Sequence, residues 1–329
     1  MKIRSVAMAL VLGAVLSTGW AQKPNGPAAP AYVERDFSVG EGELSLPGTL
    51  AMPAGDGPFP AVVLVHGSGP VDRDGTLGAS RPLRDIAQGL AERGIAVLRY
   101  DKRTLVHPLA FAADPDAGVD EESTHDAVAA VAALQVTPGI DPDRVFVFGH
   151  SLGAMLTPRI VQRADGAAGG ILFAGSTRRL LDLLPEQIKR LGTLGGADPE
   201  STAASLEAFH EAVARLRAGG DGADEIRILG LPAGYLRSAE ALDPVAEARV
   251  ASQPLLIMHA GRDIQVTDVD WQAWQAAFGD DPRFTLKRYP ELGHLGFVSD
   301  PDRPLASYGA PDHVDERLIE DAAAWIAGH

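Results

Sequence analysis

Apolar residues along this chain fall into two kinds of run. The first is short and unbroken, at 60–66, 95–100, 145–148, 170–174 and 254–259, while a mixed run at 284–289 reads as the last strand. Such unalternating runs suit strands buried on both faces of a parallel sheet. The second kind repeats with helical spacing, at 82–93, at 124–134 with Ser123 as its cap, and at 152–164. Strand and helix alternate along the chain, and that order predicts an α/β fold with a mostly parallel central sheet and helices on both faces. Residues 32–52 read differently. Alternating runs broken by Gly40, Gly42 and Pro47-Gly48 predict an antiparallel hairpin at the entry to the sheet.

From 177 to 252 no buried-strand run occurs, and the chain turns rich in Leu, Ala, Glu and Arg. Amphipathic helices are expected at 180–191, 202–216 and 239–250. An insertion here, at the carboxyl ends of the strands, lies where α/β proteins bind ligands, so a helical cap or lid is expected. The alternative is a helical layer that lengthens the core. The predicted organisation is therefore a core of 32–176 and 253–329 interrupted by a cap at 177–252.

The first residues stand apart. Lys2 and Arg4 precede an apolar stretch at 6–16, and Gly19 and Ala21 supply a small-residue exit. This pattern predicts a cleavable signal peptide at 1–21, a flexible Pro-containing leader at 22–31, and a secreted or periplasmic destination. No cysteine follows to carry a lipid, so no membrane anchor is expected.

Composition narrows the function classes. Of 329 residues, 46% are hydrophobic and 22% charged, which suits a globular chain and excludes a disordered or polytopic membrane protein. Twenty-nine basic against 44 acidic residues give a net charge of −15. A surface so acidic repels phosphate backbones and anionic lipid, and no nucleic-acid partner is expected. The absence of cysteine removes disulfides, thiol nucleophiles and thiolate-bound metals.

Gly149-His150-Ser151-Leu152-Gly153 stands between a buried-strand run and a helical run. A strand entering a helix through so tight a turn holds its middle residue in strained geometry. Flanking glycines let the backbones approach, and the Ser151 hydroxyl is aimed out above the sheet at a helix N-terminus. A serine needs a base, and His294 lies in a glycine-flanked loop after the run at 284–289. The orienting acid falls between the two in chain order. Asp263 follows the run ending at 259, with Asp268 and Asp270 as competitors. The turn His66-Gly67-Ser68-Gly69-Pro70 follows the first parallel strand, and the N–H groups of Ser68 (alternatively Gly67) and Leu152 are the expected oxyanion donors. His150 and Tyr235 are candidate pocket residues. Trp271 and Trp274 are expected to pack a helix against the core.

Five segments together carry a family resemblance: His66 to Asp74, Arg99-Tyr100-Asp101-Lys102-Arg103, Gly149 to Gly153, Gly261 to Val266, and Gly293-His294. The chain resembles the α/β-hydrolases, and among them the bacterial secreted carboxylesterase and serine-aminopeptidase-like branch. The resemblance implies Ser151 as nucleophile, His294 as base, Asp263 as acid, and Ser68 and Leu152 at the oxyanion hole. Asp101 and Arg103 are read as a structural ion-pair cluster. Many relatives run Gly-x-Gly after this arginine, where Thr104-Leu105-Val106-His107 follows here.

The expected activity is hydrolysis of a small-molecule carboxylic ester through an acyl-enzyme on Ser151, with no metal or organic cofactor. Two other readings stand beside it. One is a secreted serine exopeptidase using the same residues, in which acidic side chains such as Glu211, Asp221 or Glu225 hold a charged substrate terminus. The other is a non-catalytic binding protein on a hydrolase fold. Oligomeric state, acyl length and alcohol preference leave no mark on the sequence.

Overall fold

Eight strands form one sheet in a computed structural model that describes residues 31–114 and 117–329; the expected signal peptide and residues 22–30 of the leader lie outside the described residues. In chain order the strands are β1 (Tyr32–Val39), β2 (Leu46–Pro53), β3 (Phe59–Val65), β4 (Ala96–Tyr100), β5 (Ile140–His150) and β6 (Ala167–Phe173). A ribbon of β7 (Arg227–Ile228) and β8 (Leu231–Pro232) stands apart, and β9 (Leu255–Ala260) and β10 (Phe284–Tyr289) complete the sheet. The spatial order is β1-β2-β4-β3-β5-β6-β9-β10, antiparallel across the first three and parallel thereafter.

The unalternating runs have the predicted cause. Val63 and Val65 enter one core layer and Val62 and Leu64 the other, all fully buried. Each such side chain contributes about 1.5–3 kcal/mol by leaving water. Helices α1 (Pro82–Glu92), α2 (Arg103–Val106), α3 (Pro108–Ala113), α4 (His125–Gln135) and α5 (Leu152–Arg163) precede the cap. The cap region holds α6 (Leu180–Leu194), α7 (Pro199–Ala218), α8 (Ala233–Glu240) and α9 (Pro244–Val250), and α10 (Asp268–Phe278) and α11 (Glu316–Ala327) follow it. Leu83, Ile86 and Leu90 of α1 share one layer with Leu318, Ile319 and Trp325 of α11. Val131 and Leu134 of α4, Met155 and Ile160 of α5 and Trp274 of α10 build the other. Residues 177–252 gather an apolar cluster of their own, with Leu181, Phe209, Val213, Leu216, Ile226, Ile228 and Leu236.

Three expectations of detail are corrected. Pro47-Gly48 does not break the entry hairpin but lies within β2, where Gly48 is needed because a Cβ would sit 2.9 Å from the Arg99 carbonyl of β4. Ser123 does not cap α4; it belongs to a π-helical turn, Asp120–Thr124, that leads directly into the helix. The helix expected at 239–250 is two, because Asp243 caps α9 by accepting from the Ala246 N–H and Pro244 takes its first position. From Arg103, after which the sequence departs from Gly-x-Gly, the chain winds into α2.

At the free edge of the sheet, β1 exposes Glu34, Arg35 and Asp36 in succession. The opposite edge, β10, carries Lys287 and Arg288, paired with Asp321 and Asp268. Among the described residues, no helix is long and apolar enough to cross a membrane.

Candidate active site

Ser151 joins β5 to α5 at φ 55° and ψ −116°, a left-handed backbone that a non-glycine residue adopts only under constraint. The constraint is visible in its neighbours. A Cβ on Gly149 would lie 2.2 Å from the Gly153 carbonyl, and one on Gly153 would lie 2.4 Å from the Val65 carbonyl. The turn can be this tight only with glycine at both places. The Ser151 N–H donates to the Phe173 carbonyl at 3.0 Å, which ties the turn to β6.

His294 and Asp263 arrive on the loops after β10 and β9, and the fold brings all three residues together. His294 Nε2 is 3.1 Å from Ser151 Oγ, and its Nδ1 is 2.7 Å from Asp263 Oδ2. The other carboxylate oxygen of Asp263 accepts from the N–H groups of Gln265 at 2.7 Å and Val266 at 2.9 Å. Asp263 therefore caps its loop with one oxygen and faces the imidazole with the other. Both Asp263 and His294 are buried. With the carboxylate accepting from Nδ1–H, Nε2 is left bare toward the serine hydroxyl. The competing acids point elsewhere: Asp268 meets His259 and Arg288, and Asp270 meets Ser176, Thr177 and Arg178.

Ser68 and Leu152 also converge here. Both line one apolar cavity of about 320 Å³ with Gly67, Ser151 and His294. Leu152 opens α5, so its N–H has no acceptor within the helix, and the helix dipole adds positive character at this end. Among the described residues, the Ser68 N–H has no backbone acceptor.

His150 lines the same cavity but is also engaged behind it. Its Nε2 lies 2.9 Å from the His294 carbonyl, so that nitrogen carries the proton and donates. Burial, reinforced by the neighbouring His294, lowers the His150 pKa to about 4 and keeps the ring neutral. The second candidate pocket residue, Tyr235, lies on α8 and lines a separate cavity of about 480 Å³. Ser68, Leu180 and Leu184 border both cavities, so the Ser68 turn and α6 form the wall between them. Glu211, Asp221 and Glu225 are exposed on the cap and line neither space.

Sequence reasoning passed over a buried ion pair behind this wall. Lys102 Nζ lies 2.8 Å from Glu122 Oε1 and donates to the Gly67 carbonyl at 2.8 Å, and the Tyr235 hydroxyl donates to Glu122 Oε2 at 2.6 Å. The signal lay in Arg99-Tyr100-Asp101-Lys102-Arg103, whose side chains pin the loop after β3. Arg99 bonds Asp74, and Asp101 receives the Arg73 guanidinium at 2.7 and 2.9 Å. Asp101 and Arg103 thus do not pair with each other, as arginine turns instead to Asp126. Trp274 packs as expected, donating its indole N–H to the Gly175 carbonyl at 2.9 Å, while Trp271 stacks on His259. Among the described residues, no group of three or more His, Asp or Glu side chains is arranged to hold a metal ion.

Comparison with known proteins agrees with this architecture. Residues 62–307 match the model of the alpha/beta hydrolase family. The chain is 37% identical over 297 residues to esterase EstD of Thermotoga maritima, covering 90% of this chain and 68% of that protein. Among solved structures, the esterase Pf2001 of Pyrococcus furiosus superposes with a TM-score of 0.54 at 14% identity, covering 92% of this chain and 96% of that one. Est1E of Butyrivibrio proteoclasticus gives 0.55 at 16% identity, with 89% and 99% covered. At such identities the structural likeness concerns the fold. The family match over most of the chain and the 37% identity establish that this chain belongs to the alpha/beta hydrolase family.

Proposed function

We propose that the chain is a carboxylesterase-type serine hydrolase that cleaves small-molecule esters of short or medium acyl chain through an acyl-enzyme on Ser151. One observation carries the reading: the hydrogen-bonded series Asp263–His294–Ser151 ends at an apolar cavity that Ser68 and Leu152 also line. Identity to an esterase over most of the chain supports an ester as the substrate class.

In this reading His294 Nε2 takes the Ser151 proton as Oγ bonds to the ester carbon. The carbonyl electron pair moves to oxygen, where the Ser68 and Leu152 N–H groups hold the negative charge. Collapse expels the alkoxide, which takes the proton from His294 and leaves as alcohol. A water molecule, giving a proton to His294, then attacks the acyl carbon, and as the acyl–oxygen bond breaks His294 returns that proton to Ser151 Oγ, freeing the acid and the serine. Asp263 keeps the imidazole in the required tautomer and stabilises its cation. Residues 177–252 act as a lid, since Leu180, Leu183, Leu184 and Gln187 of α6 form one side of the cavity.

The test is hydrolysis of p-nitrophenyl acetate, butyrate, octanoate and palmitate beside alanine and proline p-nitroanilides. Ser151→Ala is expected to lower kcat about 10⁴-fold on the esters. Near-normal turnover in that variant defeats the mechanism, and fast anilide cleavage with feeble ester turnover reassigns the same residues to a peptidase.

A further inference from the structure

The Gly67–Ser68 peptide presents two faces to two different environments. Ser68 lines the cavity that holds Ser151, and among the described residues its N–H has no backbone acceptor. The peptide's carbonyl, on Gly67, accepts from the ammonium of Lys102 at 2.8 Å. The bond is trans, so carbonyl and N–H point in opposite directions, and whatever holds the carbonyl aims the N–H. Lys102 is itself fixed: it is 1% exposed, its Nζ meets Glu122 Oε1 at 2.8 Å, and its backbone N–H donates to the Val71 carbonyl at 3.1 Å in the same loop.

We infer that Lys102 is a positioning residue for the oxyanion donor, clamping the Gly67–Ser68 peptide so that the Ser68 N–H faces the reacting carbonyl, with Glu122 and the cap residue Tyr235 holding the clamp. The assignment depends on the acyl-enzyme reading above, since it needs Ser68 as a donor. A cation on the carbonyl also draws electron density from the peptide, which strengthens the N–H as a donor. Leaving Lys102 in a buried site is costly unless its charge is matched, and Glu122, 5% exposed at its side chain, matches it. The second oxygen of Glu122 takes the Tyr235 hydroxyl at 2.6 Å. Tyr235 belongs to α8, and α8 is docked on the same segment a second time, where Ser238 Oγ accepts from the Val119 N–H at 3.1 Å. The lid is thereby linked to the oxyanion donor through three side chains.

Removing Lys102 alone strands the Glu122 charge, so the decisive variant is the double substitution Lys102→Met with Glu122→Gln, which removes both charges and leaves Tyr235 an acceptor. Its kcat on p-nitrophenyl acetate is expected to fall about 10- to 100-fold with KM unchanged, less than the roughly 100- to 1000-fold that follows outright loss of an oxyanion donor, because the Ser68 N–H is misaimed and not removed. Affinity for a phenyl trifluoromethyl ketone, whose adduct with Ser151 carries an oxyanion, is expected to fall in parallel. A folded double variant with wild-type kcat and wild-type affinity for the ketone overturns the assignment. If the double variant does not fold, Tyr235→Phe decides: a fall of about 3-fold in both quantities supports the clamp, and unchanged values overturn it. Ser151→Ala is measured alongside. Activity that survives that substitution removes the acyl-enzyme reading itself, whereas a dead Ser151→Ala with an unimpaired double variant removes only the role of Lys102.

Discussion

At Ser151 the backbone is held where few residues go, and the glycines that permit it were readable because their reason is steric and local. The same holds for Asp263 and His294, which sit on turns that directly follow strands. Lys102 and Glu122 were not legible in this way. They are partners across 20 positions, and Glu122 lies in a π-helical turn that precedes the helical spacing read from 124 onward. Two histidines add a consequence for pH. Burial lowers the His66 pKa to about 3, with Lys102 adding to the effect, and His150 lies at about 4. His66 lies edge-on to Tyr100, with ring centroids 5.2 Å apart, and its Nε2 has no hydrogen-bond partner among the described residues. Both rings are neutral in the fold and take a proton near pH 6.5 once unfolded. The unfolded chain therefore binds more protons below that pH, and stability falls as pH drops from about 6.5 toward 4. Each histidine is expected to cost on the order of 3 kcal/mol across that window. Urea midpoints taken at intervals of pH should show the loss, and His66→Phe, which keeps a ring against Tyr100, should flatten the slope. Equal slopes in the two proteins would refute the contribution of His66.

Among the elements, the parallel strands matched their apolar runs because burial on both faces leaves nothing for hydropathy to alternate with. The cap was harder to read. Its two-residue ribbon is too short to leave a pattern, and α8 and α9 share a helical period across the break that Asp243 and Pro244 impose. One buried carboxylate joins α10 to the segment that leads into α6. Asp270 of α10 accepts from Ser176 Oγ at 2.8 Å, Thr177 N–H at 3.0 Å and Arg178 Nη2 at 2.6 Å, just before α6 begins. These bonds outweigh burial, which alone would raise it, and hold the Asp270 pKa below the ordinary carboxylate range. Asp270→Asn removes the charge opposite Arg178 and is expected to destabilise the fold by about 3 kcal/mol. Because α6 supplies Leu180, Leu183 and Leu184 to the cavity, KM for p-nitrophenyl butyrate should rise several-fold with little change in kcat. An unaltered urea midpoint and KM would show that the joint does not depend on this contact.

For the molecule as a whole, export is a proposal that rests on residues 1–21 alone, through their basic start, apolar middle and small-residue exit. Protein recovered from its native host is expected to begin at Gln22 by intact-mass measurement; a mass that retains Met1 would overturn the proposal. The charges along the two outer strands have a different consequence. A sheet with an open side is a template on which another chain can add a strand. Here a newcomer to β1 would have to lay its backbone beside Glu34, Arg35 and Asp36, and at β10 beside Lys287 and Arg288. With a net charge of −15, two copies also repel before they meet. The sheet is thus closed to extension by the side chains at its borders, and assembly into fibres through strand addition is discouraged at both ends.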